Sequence, residues 1–192
     1  MSIEKIKKAL KESAELKLQI SETLAEKISD VAKLIAGAIH KGNKIMFCGN
    51  GGSAADSQHL AAELVVRLTG ESNRRALPGI ALTTDSSVLT AGSNDFGFEN
   101  VFSRQVEALG IEGDVLIVLS TSGNSPNIIK AVEEARKTGL HTIGFLGSDG
   151  GKLGPLVDLP LIIPSKDTQR IQEAHITVGH IIISLIEEEL FH

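Results

Sequence analysis

The stretch Lys44-Ile-Met-Phe-Cys-Gly-Asn-Gly-Gly-Ser-Ala-Ala-Asp-Ser-Gln-His-Leu-Ala-Ala-Glu63 decides the fold of this chain. Its first five residues, Lys44 to Cys48, are short and apolar, as a strand buried on both faces would be. They feed Gly49-Asn50-Gly51-Gly52, which opens directly into a helical pattern. Such a turn leaves the first backbone N–H groups of the helix unpaired at the positive end of its dipole. That arrangement binds oxyanions or the polar oxygens of a ligand. Further along, His59 and Glu63 stand four residues apart and share a helix face. One strand–turn–helix element thus offers a ligand cradle, a potential metal ligand and a potential general base.

Outward from this unit the chain alternates. Strand-like runs fall at Lys44–Cys48, Gly79–Leu82, Val115–Ser120, Thr142–Leu146 and Leu159–Ile163. Helical patterns separate them at Ala54–Leu68, Asp85–Ala91, Phe98–Leu109 and Pro126–Thr138, and a last long helix is expected from Thr168 to Leu190. Alternating βα units with apolar strands predict an α/β fold, a doubly wound, mostly parallel sheet of five strands in a three-layer domain. The first forty residues read as helix, with Ile3, Ile6, Leu10, Ala14 and Leu18 at three-to-four spacing, a restart at Ser21-Glu22, and a C-cap glycine at Gly42. One domain over 1–192 is expected, its residues 1–42 a helical extension.

Composition narrows the function. A net charge of −5 gives no electrostatic footprint for nucleic acid or an anionic membrane surface. The absence of Trp and Tyr removes the usual platforms for stacking bases or sugars, so a sugar here would be held by polar groups. Residues 1–18 are charged and amphipathic, without the apolar core of a secretory leader, and no apolar run is long enough to span a membrane. The single cysteine, Cys48, excludes an intramolecular disulfide and suits a reducing compartment. A cytoplasmic protein acting on a small molecule is expected.

In doubly wound sheets the ligand sits beyond the carboxyl ends of the strands, at the switch point. A second loop is dressed for that place. Ser120-Thr121-Ser122-Gly123-Asn124-Ser125 carries four hydroxyls before a helix opening at Pro126. Hydroxyls and free N–H groups can hold a phosphate monoester without lysine or arginine. The plainer reading makes Ser125 an N-cap, but a cap uses one hydroxyl, not four. The glycine turn also has a rival reading, because Gly49-x-Gly51-x-x-Ala54 formally satisfies a dinucleotide fingerprint. That fingerprint wants an acidic residue about 20 residues on. Asp85 arrives late for this and Glu71 falls in a polar loop. On the last helix, Gln172, Ile176 and His180 follow at four-residue steps, with Ile171, Val178, Ile182 and Leu185 as its packing set.

Taken together, these segments resemble a sugar isomerase (SIS) domain protein of the sedoheptulose 7-phosphate isomerase (phosphoheptose isomerase) family. The marks are Cys48 to Glu63, Gly92-Ser-Asn-Asp-Phe-Gly-Phe98, Ser120 to Ser125, and Arg170-Ile-Gln-Glu-x-His175 followed by His180. The resemblance covers essentially the whole chain. It implies conversion of sedoheptulose 7-phosphate to D-glycero-D-manno-heptose 7-phosphate, the first step of bacterial ADP-heptose or GDP-heptose biosynthesis. It implies sugar contacts from Asn50, Gly51, Gly52 and Ser53 and from Asn94 and Asp95, and a phosphate site at Ser120, Thr121, Ser122 and Ser125. It also implies zinc ligands at His59, Glu63, Gln172 and His180, with Glu63 and Gln172 touching substrate, and a homotetramer with active sites between subunits. Gln169 stands where some members place a carboxylate, with Asp167 two residues earlier.

The implied chemistry suits the side chains. Ketose–aldose interconversion through an enediol needs a base to move a proton between C1 and C2, and Glu63 is the better candidate. His180 would shuttle protons at the oxygens, and Zn²⁺ would be structural or assisting, since a tight ligand is not a free base in the same state. The competing reading is a non-catalytic SIS-domain adaptor that associates with the bacterial replication initiator. Relatives of that kind lose the catalytic carboxylate, which Glu63 retains here.

Overall fold

The structure is a computed structural model that describes residues 2–70 and 73–191; Glu71 lies outside them. Two helices, α1 (Ile3–Thr23) and α2 (Ala25–His40), precede β1 (Ile45–Gly49), α3 (Gly52–Val65) and β2 (Gly79–Ala81). Then come α4 (Ser86–Phe96), a 3₁₀ turn (Phe98–Asn100), α5 (Val101–Leu109), β3 (Val115–Ser120), α6 (Pro126–Lys137), β4 (His141–Gly147), β5 (Leu159–Ile163) and α7 (Thr168–Phe191). The five strands are all parallel in the order β2-β1-β3-β4-β5. Strand order reverses between β1 and β3, so the loops leaving these two strands diverge and open a crevice. Gly49 pairs with Leu119 in that register, which starts the glycine turn and the serine loop side by side.

Each apolar strand serves two cores, because successive side chains point to opposite faces. Ile45, Phe47, Val115, Ile117 and Phe145 pack with α1, α2, α3 and α7. Met46, Cys48, Leu116, Val118 and Leu146 pack with α5 and α6. Burial on both sides explains why the strands read as continuous apolar runs. The Cys48 thiol is wholly buried, and desolvation pushes its pKa far up, which leaves it an inert core group.

The N-terminal helices depart from expectation in two ways. The break falls at Leu24 (φ −121°, ψ −4°), while Ser21 turns its hydroxyl back to the Leu18 carbonyl at 2.6 Å and starts nothing. Further, α1 packs through Leu16 and Ile20. The stripe Ile3, Ile6, Leu10 and Leu18 is 57–68% exposed. Gly42 takes φ +89° beyond α2, as a C-cap glycine should.

At the amino end of the sheet, Asp114 is fully buried and accepts from the N–H groups of Lys44 and Ile111, both at 2.9 Å, and from the Lys44 ammonium. Burial alone would raise this carboxyl, but the hydrogen bonds and charge of Lys44, with the Ile111 N–H, outweigh it and hold the pKa below the usual range. A lowered folded pKa gives stability that is present above the unfolded value of about 3.9 and lost as pH falls through the folded one. Asp114→Asn is therefore expected to lose roughly 2–3 kcal/mol at pH 7 and much less near pH 2. Urea midpoints at the two pH values check this, and an equal loss at both would exclude the ion pair as its source.

Candidate active site

The glycine turn is built by close backbone approach. A Cβ on Gly49 would lie 2.5 Å from the Ser53 carbonyl oxygen, and Gly51 adopts φ +58°. Gly51 is the N-cap of α3, and no side-chain hydrogen bond caps the helix, although the N–H groups of Ser53 and Ala54 bond back to the carbonyls of Asn50 and Gly51. Ser53 is buried beneath the turn, where its carbonyl accepts the Ser57 hydroxyl at 2.8 Å. The Asn50 carboxamide exchanges two 2.9 Å hydrogen bonds with that of Asn127. This pair, with Asn127 buried and Asn50 half-buried, ties the glycine turn to the first turn of α6.

Across the crevice two of the loop's hydroxyls come together. Ser120 and Ser125 place their Oγ atoms 3.4 Å apart, and Ser125, although it is the N-cap of α6, makes no side-chain cap bond. The capping explanation of this loop therefore fails, and the Ser125 hydroxyl remains available above an uncapped helix end. The Ser122 Oγ accepts the Asn124 N–H at 3.2 Å, and Asn124 Oδ1 accepts the Lys152 N–H at 3.2 Å. Thr121 is half-buried on the same loop.

The third component joins two helices. His59 Nε2 on α3 lies 2.8 Å from His180 Nε2 on α7 and 3.2 Å from Glu63 Oε1. All three ligand atoms fall within 4.8 Å of one another, and Glu63 is the more buried of the α3 pair. The helices come this close because Gly179, beside His180, meets Leu60: a Cβ there would lie 2.5 Å from Leu60 Cδ2. Gln172 sits elsewhere on α7. Its carboxamide lies over Gly52, where a Cβ would be 2.7 Å from Nε2. Eight residues, about 12 Å of helix rise, separate Gln172 from His180.

Asn94 and Asp95 lie exposed on α4, hydrogen-bonded to each other at 2.8 Å. That helix has no buried residue at all. Asp85 caps it by accepting the Val88 N–H on Oδ1 at 3.0 Å, a structural role that accounts for this carboxylate without a ribose. At the start of α7, Asp167 is likewise occupied, accepting the Gln169 N–H at 2.8 Å.

Several residues escaped sequence reasoning. His175 reads from the sequence as a solvated or interface group, yet it is 1% exposed and donates from Nε2 to the Leu146 carbonyl at 3.1 Å. Burial pushes its pKa down to about 4, so the ring is neutral. Glu173 accepts from the Ser13 hydroxyl at 2.8 Å and pairs with Arg170. Asp56 has a buried Oδ2 with no hydrogen-bond partner among the described residues, and burial raises its pKa against the pull of His59. The signal for Asp56 is its i, i+3, i+7 spacing with His59 and Glu63.

Sheet order, switch-point loops and helix-borne cluster define a class, and residues 10–147 match the SIS domain. The phosphoheptose isomerase of Neisseria gonorrhoeae superposes with a TM-score of 0.91 at 42% identity, covering 96% of this chain and 98% of that one. The phosphoheptose isomerase of Francisella tularensis gives 0.94 at 36% identity, covering 98% and 99%. A curated phosphoheptose isomerase from Aquifex aeolicus is 55% identical over 186 residues, 97% of this chain and 96% of that protein. The chain belongs to the phosphoheptose isomerase family of SIS-domain proteins.

Proposed function

We propose that this protein is an aldose–ketose isomerase that converts sedoheptulose 7-phosphate to D-glycero-D-manno-heptose 7-phosphate through an enediol. The observation that carries the reading is the joining of Glu63 and His180, from separate helices, into one cluster with His59. The four-hydroxyl loop on the neighbouring strand supports a phosphate site at Ser120, Thr121, Ser122 and Ser125. Family membership supports the activity.

In the proposed reaction the Glu63 carboxylate takes a proton from C1 and returns it to C2. His180 moves the hydroxyl proton between O1 and O2, so the carbonyl passes from C2 to C1 without net gain or loss of atoms. Asn50, Gly51 and Gly52 present the amino end of α3 to the sugar oxygens, and Gln172 joins them over Gly52. The donor set fits a zinc ion. Separations of 2.8 and 3.2 Å between His59 Nε2 and its two neighbours approach the spacing of about 3.3 Å expected around a tetrahedral centre with bonds of about 2.0–2.1 Å. His59, Glu63 and His180 would hold it in the state in which Glu63 and His180 carry no substrate proton. Gln172, whose carboxamide lies over Gly52 and not in this cluster, is proposed as a fourth ligand only after reorienting. Bound there, Zn²⁺ would supply Lewis acidity at the substrate carbonyl oxygen.

The exposed stripe of α1, the unburied α4 carrying Asn94 and Asp95, and half-exposed Ile181 on α7 support a homotetramer whose sites are completed between copies. Light scattering should then return four times the 20.3 kDa chain mass. A monomer at micromolar concentration would refute it. A cytoplasmic place at the head of ADP-heptose or GDP-heptose synthesis follows from the same reading. No helix among the described residues is long and apolar enough to cross a membrane.

The deciding experiment is ¹H NMR of sedoheptulose 7-phosphate in D₂O with the purified protein, with and without chelator. Growth of an aldoheptose anomeric signal is expected, slowed by chelation. No product from folded protein would replace the isomerase with the adaptor reading.

A further inference from the structure

Arg74 lies between α3 and β2, and its side chain is only 2% exposed. A buried guanidinium is tolerated only when its donors are met. Here Nε donates to Glu187 Oε1 at 2.6 Å, Nη1 to the carbonyls of Leu64 at 2.9 Å and Arg75 at 3.0 Å, and Nη2 to the carbonyl of Glu63 at 2.7 Å. Two of these acceptors are carbonyls at the end of α3, which have no partner within the helix. A cation there also meets the negative end of the helix dipole. One of the two is the peptide oxygen of Glu63 itself.

The other end of the clamp is on α7. Glu187 follows His180 by seven residues, two turns along the same helix face. Its Oε1 also accepts the Leu68 N–H at 3.3 Å, just beyond α3. Arg74 therefore bonds the backbone of Glu63 to the helix that carries His180. Elsewhere α3 and α7 meet through Leu60 against Gly179, an apolar contact that sets their separation, through Gln172 over Gly52, and through His59 and His180 of the cluster itself, so Arg74 is the contact that ties the backbone end of α3 to α7. A buried ion pair is an inefficient stabiliser compared with apolar packing, so stability alone does not account for this one.

We infer that Arg74 is a positioning residue for the Glu63–His180 pair, fixing the end of α3 against α7 through Glu63, Leu64 and Glu187. Its consequence for turnover rests on the proposed isomerase activity; its consequence for the cluster does not.

The test compares Arg74→Gln, Arg74→Lys and Glu187→Gln with Asp114→Asn, a destabilising change at the far end of the sheet. Two quantities are read per folded molecule: steady-state kinetics on sedoheptulose 7-phosphate, and Zn²⁺ affinity of metal-free protein in competition with a chromogenic chelator. For Arg74→Gln, kcat is expected to fall about 10–100-fold with KM within about twofold, and Zn²⁺ affinity to fall by a similar factor. Arg74→Lys, which keeps the charge with fewer directed donors, should fall between, and Asp114→Asn should change neither quantity. If Arg74→Gln does not fold, Glu187→Gln should show a smaller loss of the same pattern. Arg74 and Glu187 variants that match Asp114→Asn in both quantities would overturn the inference. An inactive wild type would sink the isomerase reading instead, and the substrate-free Zn²⁺ measurement would still decide Arg74.

Discussion

Glu63→Gln should lower the isomerisation rate by about 10²–10⁴-fold, the usual contribution of a positioned general base. Each decade corresponds to about 1.4 kcal/mol of transition-state stabilisation, so the change removes about 3–5 kcal/mol. The substitution keeps the size and hydrogen-bonding reach of the side chain and removes its charge and, with it, the proposed capacity to accept the C1 proton. Glu63 is partly buried at 18% exposure, and among the described residues its only ion pair is with His59, so its loss should leave the fold intact. Two readouts separate the base from a metal-binding role. The first is exchange of the C1 proton of sedoheptulose 7-phosphate with D₂O, which reports enediol formation directly. The second is bound Zn²⁺ per chain. Lost exchange with zinc retained assigns Glu63 as the base; exchange at the wild-type rate in Glu63→Gln would transfer that role to another group.

What the sequence showed, and what it hid, divides by the range of the interactions. Strands Val115–Ser120 and Leu159–Ile163 match their sequence boundaries because apolar runs between turn signals are local patterns. The two ligand loops were legible for the same reason. Each is a strand, a turn rich in glycine or hydroxyls and a helix start, all within a dozen residues. His59 and Glu63 were legible as a helix pair, but their meeting with His180 spans 121 positions and came from the family resemblance, not from spacing. The contacts missed entirely are also long-range. Asn50 finds Asn127 across 77 residues and Arg74 finds Glu187 across 113, and neither pair has a periodic signature. On α1 the apolar spacing follows one stripe, and the buried residues Leu16 and Ile20 fall outside it. That regular stripe, Ile3 to Leu18, is left exposed, and within one chain α1 packs through Leu16 and Ile20.

Gly123→Ala should weaken substrate binding more than any single serine replacement, because it moves the whole loop proposed to hold the phosphate. Gly123 holds φ +64°, a conformation that costs a residue with a Cβ about 1–2 kcal/mol. More severely, a Cβ would lie 2.0 Å from the Gly150 carbonyl oxygen and 2.5 Å from its carbon. Both atoms are backbone, so no side-chain rotation relieves the clash. The segment is tied down besides, with the Leu153 N–H donating to the Gly123 carbonyl at 3.0 Å and Lys152 N–H to Asn124 Oδ1. Gly151 closes in from the other side at φ +52°, its would-be Cβ 2.6 Å from the Ser122 carbonyl oxygen. An alanine must push the loop off this support, and with it the hydroxyls of Ser120, Ser122 and Ser125 that are proposed to hold the phosphate. KM for sedoheptulose 7-phosphate should rise by about 100-fold, equivalent to about 2.7 kcal/mol, and inorganic phosphate should lose its competitive inhibition in parallel. The stability loss should stay near 2–4 kcal/mol, since the displaced atoms lie above the sheet and not in its core. A Gly123→Ala protein with wild-type KM and wild-type sensitivity to phosphate would remove this loop from the phosphate site, because no rearrangement of the backbone at 2.0 Å leaves the serines where they stand.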